Sequence, residues 1–309
     1  MSTNSKIKPV VLVFGPTGVG KTRFLLDQLG DRGEVVVADS IQVYRGLNIG
    51  SAKPTAEERA RIPHHLLDIL EPSEAFDVGL FLPLAEQAVA NIHQKNKIPV
   101  ICGGTAFYFW NFLFGLPSAP PSTFLTRERA ARDLESWGPE GLRSRLEEVD
   151  FHSAQRIGKS DHYRLVRAWE VWLACGRPLS SFPRNEKIRE DYEIRIFSLE
   201  RPQEELLRRL DQRIDAMLAQ GLVEEIRSLV SQGYDENTPA LRGIGYAEFL
   251  PWILRGESGF SHAVEQLRFH SRQYAKRQRT FFRRIPGVES FNPEHPDIFL
   301  KVWRELTQE

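Results

Sequence analysis

The sequence predicts an α/β protein in which a mainly parallel sheet, flanked by helices, is interrupted by an all-helical insertion. Three observations predict it. Apolar runs of strand length alternate with helix-length amphipathic segments, the pattern of a sheet buried on both faces. A glycine-rich phosphate loop, Gly15-x-x-x-x-Gly20-Lys21-Thr22, joins the first such run to the first helix. From the proline-rich stretch Gly115 to Thr123 as far as about Arg189, helical periodicity persists without a convincing strand.

The elements follow in order. "PVVLVF", Pro9 to Phe14, is a continuous apolar run ending in glycine, and a helix is expected from Gly20. Glu34 to Asp39 reads as a second strand and His64 to Leu70 as a third. A helix spans Asp77 to about Asn96, with Pro83 near its first turn. Ile98 to Gly104 is a further buried strand, followed by an aromatic-rich helix from Thr105 to Phe114. In the insertion the clearest helix is "DHYRLVRAWEVWLAC", capped by Ser160 and ended by Gly176 and Pro178, with Leu165, Trp169, Trp172 and Leu173 on one side. Tyr192 to Glu200 returns to a strand pattern, and the remainder reads as helical. These boundaries divide the chain into a P-loop α/β core, residues 1–117 and 190–309, and a helical insertion, residues 118–189.

Composition narrows the class. At 41% hydrophobic and 27% charged residues the chain has the profile of a soluble globular protein. Lys+Arg and Asp+Glu both number 41, so a polyanionic partner has to be sought in how charge is distributed. Cys102 and Cys175 are the only cysteines and form no CxxC pair, which argues against a zinc site or a disulfide framework. "MSTNSKIKPV" lacks the apolar stretch of a signal peptide, and no window approaches ~18 uninterrupted apolar residues; a cytoplasmic protein with no membrane contact is expected.

The loop speaks for phosphate without saying whose. Its backbone amides and the following helix N-terminus converge on anionic oxygens, Lys21 adds positive charge, and the Thr22 hydroxyl is a Mg²⁺ ligand. An ATPase, a small-molecule kinase and a transferase that expels diphosphate all use such a cradle. Asp39 follows four apolar residues at the carboxyl edge of the sheet, where it reads as a magnesium ligand or as the cap of the next turn. Gly103, Gly104 and Thr105 make a glycine turn at another strand end. Arg209 and Arg213 share a helix face.

From Gln266 through Val288 there are seven Lys or Arg and no Asp or Glu. Arg268, Arg272, Lys276, Arg279 and Arg283 fall within about 80° on a helix, with Leu267, Tyr274 and Phe281 opposite. The helix is expected to pack by one face and present a basic stripe, an electrostatic footprint for phosphate backbone. In the insertion, Arg164 and Arg167 lie at i, i+3 beside Trp169.

"GPTGVGKT", "DSIQVYRGLNIGSAKPT", "PHHLLDI", "IPVICGGTAFY" and "RQYAKRQ" resemble, in this order, the motifs of tRNA dimethylallyltransferases, over roughly Val10 to Arg284. These enzymes prenylate N6 of the adenosine next to the anticodon. The resemblance implies that Gly15, Thr17, Gly18, Val19, Gly20, Lys21 and Thr22 hold the diphosphate of dimethylallyl diphosphate, with Mg²⁺ on Thr22. It makes Asp39 the general base, Thr17 a donor to the bridging oxygen, and Arg213, with Arg209 in reserve, an aid to the diphosphate. It assigns Asp39, Ser40, Ile41, Gln42, Thr105, Tyr163, Arg164, Arg167, Arg242, Gly245, Tyr246, Arg272, Lys276, Arg279 and Arg283 to tRNA. Phe107, Tyr108, Phe109 and Trp110 either line a tunnel or pack the core. The implied partners are dimethylallyl diphosphate and a tRNA anticodon stem-loop, handled by a monomer outside any membrane. The chain departs from the family pattern at Asn48 and Ser51, at Tyr163, and at Ala247. Transfer to free adenine nucleotides, a small-molecule kinase and a nucleic-acid-binding switch protein are the alternatives.

Overall fold

The computed structural model describes residues 7–183 and 185–308. The chain forms two compact units, one from the segments up to Leu113 and from Arg189 onward, the other Phe114–Ile188.

The first unit begins with β1 (Pro9–Phe14), α1 (Lys21–Gln28), β2 (Gly33–Ala38), α2 (Ala56–Arg61), β3 (His64–His65), α3 (Val78–Gln94), β4 (Ile98–Gly103) and α4 (Ala106–Phe114). The second holds α5 (Phe124–Val149), α6 (Phe151–Arg156) and α7 (His162–Cys175). The first then resumes with β5 (Glu193–Leu199), α8 (Gln203–Ala219), α9 (Leu222–Ser231), α10 (Leu250–Arg255), α11 (Gly259–Phe282), β6 (Glu289–Phe291) and α12 (Asp297–Thr307). No helix among the described residues is long and apolar enough to cross a membrane.

All six strands run parallel, in the order β3-β2-β4-β1-β5-β6. The chain leaves β1 for one side of the sheet, returns to lay β4 beside it, and continues to the other side with β5. The carboxyl ends of β1 and β4 therefore flank the crevice where open α/β sheets bind ligands. Val11, Val13, Val35, Val37, Val100, Phe197 and Leu199 are buried and pack with Phe24, Phe299 and Trp303. α11 is fastened across the sheet by Phe282, whose ring stacks on Phe14 at 4.3 Å between centroids. A second cluster joins Leu47, Ile226, Tyr246, Phe249 and Leu267.

The 47–51 loop is held by its backbone. The Glu225 carboxylate accepts from the amides of Asn48 (2.9 Å), Ile49 (2.8 Å) and Gly50 (3.1 Å) and from the Tyr246 hydroxyl (2.8 Å). Because main-chain donors do this, the side chain at Asn48 is free to differ. Ser51 keeps the hydroxyl that reaches Leu47 O at 2.7 Å.

In the second unit Leu142, Leu146, Leu165, Trp169 and Ala154 form the core. α5 is broken at Gly138–Pro139, where Gly138 has φ +67°.

Three expectations are corrected. The third strand stops after His65, because Leu66 and Asp68 adopt positive φ and Asp68 turns to pair with the buried Lys53 (2.6 Å) and with Arg59 (2.7 Å). Asp161, not Ser160, caps α7 by accepting from Arg164 N at 3.1 Å. The C-terminal region is not wholly helical: Glu289–Phe291 adds a strand beside β5.

Candidate active site at the carboxyl edge of the sheet

Three loops meet at this edge: Gly15–Gly20 after β1, Asp39–Gln42 after β2, and Gly104–Thr105 after β4. α8, following β5, supplies arginines beside them. The phosphate loop is braced through its carbonyls. Arg209 Nε donates to Gly18 O and Arg201 Nε to Val19 O, both at 2.9 Å. Lys21 Nζ donates to Gly15 O (2.9 Å) and Pro16 O (3.1 Å), so its charge lies folded over the loop. Burial pushes the Lys21 ammonium down to about 8; Cys102 and Asp39 oppose the fall and Arg213 adds to it. Burial likewise pushes the Cys102 thiol up to about 12, which keeps it protonated.

Arg213 belongs to the same constellation. Burial lowers the pKa of its guanidinium and the Asp39 charge opposes this. Among the described residues it has no ion-pair or hydrogen-bond partner, in contrast to Arg209. A half-buried guanidinium without a partner is a site for an anion.

Asp39 uses its two oxygens differently. Oδ1 accepts from Ile41 N (2.9 Å) and Gln42 N (3.2 Å), capping the turn; Oδ2 has no protein partner among the described residues. Thr105 Oγ1 accepts from Ser40 N at 3.2 Å, tying the turn after β4 to the loop of Asp39. Two phenols also feel the Asp39 charge. Burial, then Asp39, push Tyr274 up to about 12 and Tyr108 further still, so both stay neutral donors.

A model of the family described as IPP transferase matches residues 42–285, and one described as isopentenyl transferase matches residues 8–68. The chain belongs to the IPP transferase family. A tRNA dimethylallyltransferase of Chloroflexus aurantiacus is 40% identical over 307 residues, covering 97% of this chain and 100% of that one. The crystal structure of a full-length tRNA isopentenylpyrophosphate transferase from Bacillus halodurans matches with a TM-score of 0.69 at 31% identity, over 98% of this chain and 99% of that one. A eukaryotic dimethylallyltransferase acting on tRNA matches with a TM-score of 0.77 at 28% identity, over 93% and 74%. The IPP transferase fold is thus a P-loop core with a parallel sheet.

The structure separates the residues assigned to tRNA. Ser40, Ile41, Gln42 and Thr105 border Asp39, although the Gln42 amide nitrogen is committed to Ser51 O at 3.1 Å. Arg242 is exposed. Tyr246 is corrected: it is 0% exposed, its hydroxyl held by Glu225 and by Ser51 N (3.2 Å), so its side chain is a post under the loops and not a surface contact. Gly245 is also buried, its amide donating to Glu248 at 2.9 Å. Within the second unit Tyr163 is 80% exposed and Arg164 is exposed beside Asp161, 3.0 Å away. Arg167 is partly exposed, and its guanidinium donates to Ser122 (2.7 Å) and Pro120 O (2.6 Å).

The basic stripe divides along α11. Arg268 pairs with Asp211 and Asp215, and Arg272 pairs with Asp211, all reaching across from α8. Lys276, Arg279 and Arg283 have no ion-pair partner among the described residues. Arg279 and Arg283 line a cavity of about 320 Å³ with Pro16, Ser198, Glu200 and Arg201.

Of the aromatic set Tyr108 lies near enough to feel the Asp39 charge, and it stacks on Phe81 at 4.3 Å. Phe109 lies in the core against Phe14, Trp110 packs edge-on to Phe281, and Phe107 is 52% exposed. Sequence reasoning missed Arg201, Tyr274 as a neighbour of Asp39, and Gln278. The signal for Gln278 was a polar residue on the packing face of α11.

Proposed function

We propose that this IPP transferase moves the dimethylallyl group from dimethylallyl diphosphate to N6 of the adenosine next to the anticodon of a tRNA, releasing diphosphate, and that it does so as a cytoplasmic monomer. One observation carries the reading. A phosphate loop, the Arg213 guanidinium and the Asp39 Oδ2 oxygen, the last two without a partner among the described residues, come together at the switch point of the sheet.

The loop and Lys21 bind the diphosphate, and Lys21 leaves the Gly15 and Pro16 carbonyls to do so. The allylic C–O bond breaks, and the negative charge that grows on the leaving diphosphate is stabilised by Lys21, Arg213 and the loop amides. Thr17 donates to the bridging oxygen. N6 forms the new C–N bond, and the proton it loses passes to Asp39 Oδ2, which is free to take it. Tyr108 and Tyr274, both neutral, wall the site beside Asp39 and limit water at the cation-like carbon.

Mg²⁺ fits this donor set. Among the described residues the Thr22 hydroxyl, at the head of α1, has no protein partner, and no cluster of three His, Cys, Asp or Glu draws a metal elsewhere. Thr22 would hold the ion jointly with diphosphate oxygens and water. When bound, it supplies positive charge to the leaving group.

The test is mass spectrometry of tRNA nucleosides after incubation with dimethylallyl diphosphate. The expected product is adenosine carrying one added C5H8. ATP-dependent phosphoryl transfer to an acceptor, with unmodified tRNA, would overturn the reading.

A further inference from the structure

We propose that Gln278 is a positioning residue that fixes the donor half of the site against the acceptor half. The inference rests on the prenyl transfer proposed above. Gln278 is 3% exposed and sits near the end of α11. Its Oε1 accepts from Thr17 N at 2.8 Å, and its Nε2 donates to Gly104 O at 2.7 Å. The first contact is to the phosphate loop and the second to the turn after β4.

The chemistry of the two partners admits one orientation of the amide. A backbone N–H requires the oxygen and a backbone carbonyl requires the nitrogen, so the group cannot flip. Glutamate would set an acceptor against the Gly104 carbonyl. The turn is shaped to the same contact: a Cβ on Gly104 would stand 2.4 Å from Gln278 Nε2. Tyr274, one helical turn earlier, points its hydroxyl at the same carbonyl from 3.4 Å.

From Gly104 the connection continues to the base. Thr105 follows in the chain, its Oγ1 accepts from Ser40 N, and Ser40 follows Asp39. Thr17 and Asp39 are thereby joined through Gln278 and the β4 turn, by contacts that include no substrate. The separation between the group that meets the bridging oxygen and the group that takes the N6 proton is set before either substrate arrives. A consequence for the cradle is that the Thr17 amide is spent inside the protein, so Thr17 meets the donor through its hydroxyl alone.

The variants are Gln278→Met, which keeps the length and removes both hydrogen bonds, and Gly104→Ala, which displaces Nε2 without altering α11. Single-turnover prenylation, donor and tRNA affinity, and the ratio of diphosphate released to tRNA prenylated are measured against the parent. A loss of roughly 10²-fold in single-turnover rate is expected for each, the scale of a misplacement of about 1 Å. Both affinities should stay within about 3-fold, and the pair should be non-additive because they break one link. The diphosphate-to-product ratio should rise above one, as water takes carbocations that N6 no longer meets in time. Rate loss that follows the folded fraction, with the ratio still at one, would assign Gln278 to stability and overturn the proposal. So would a parent-like rate in Gln278→Met. A parent that does not prenylate tRNA would overturn the function and, with it, this inference.

Discussion

Asp211 holds Arg272 through both of its carboxylate oxygens, at 2.9 and 2.8 Å. The same carboxylate lies 3.2 Å from Arg268. Two of the five charges of the stripe on α11 are therefore met by acid on α8, and the charge left for an outside polyanion is concentrated toward Lys276, Arg279 and Arg283.

Lys276→Gln and Arg279→Gln are expected to raise KM for tRNA with kcat within a few-fold, and each to flatten the log–log salt slope of tRNA affinity by about 0.7 to 0.9. Arg272→Gln should flatten it less, and Asp211→Asn should tighten tRNA binding by freeing the Arg272 guanidinium, while Arg268 keeps Asp215. An unchanged slope in both Lys276→Gln and Arg279→Gln, read from salt titrations of tRNA affinity, would place the stripe against solvent.

Asp39→Asn retains an oxygen to cap Ile41 and loses the base. The single-turnover rate should fall by at least ~10², the usual scale for a general base, while tRNA still binds. Asp39→Ala should fall further because the turn is also released. Near-parent prenylation by either variant would remove Asp39 from the role.

Lys21 gives a pH signature. Its pKa of about 8 lies below the ordinary 10.5. Between those values the unfolded chain binds more protons than the folded one, so the stability of the free protein should rise with pH across that window. Donor capture needs the ammonium, so kcat/KM for dimethylallyl diphosphate should fall as pH rises through about 8. In Lys21→Arg that limb should vanish, since a guanidinium keeps its proton. A parent profile flat through this region would contradict the buried ammonium.

Tyr246→Phe should lower stability by about 1–3 kcal/mol, the cost of leaving part of the half-buried Glu225 carboxylate unmet, with kcat changed only a few-fold. Gly50→Ala should cost more, because its Cβ would stand 2.6 Å from the Tyr246 ring. Thermal melts of the two variants test the ranking, and a tRNA KM that changed more than the melting temperature would return Tyr246 to the RNA surface.

Much of this was legible in the sequence because it depended on local rules. β1, β2 and β4 showed themselves as apolar runs, and the phosphate loop as a spaced motif between strand and helix. What escaped was set by distant partners. β3 ends early because Asp68 is drawn to Lys53 and Arg59, and β6 is too short to carry a period. The stripe on α11 was visible, but the acids that neutralise two of its five charges lie on another helix. Arg209 and Arg213 look alike in sequence; only the fold gives one a loop carbonyl and leaves the other without a partner among the described residues. Gln278 went unnoticed because its two partners are remote in the chain.

The strand order has a consequence for how the protein comes into being on the ribosome. β1 lies between β4 and β5, so the first strand made waits, one edge uncovered, through synthesis of the whole 114–188 segment. The amide of Thr17 waits longer still, until Gln278 emerges. Activity should therefore arrive late and all at once during translation, and a nascent chain arrested before α11 should hold a formed β1–β4 pair yet catalyse nothing.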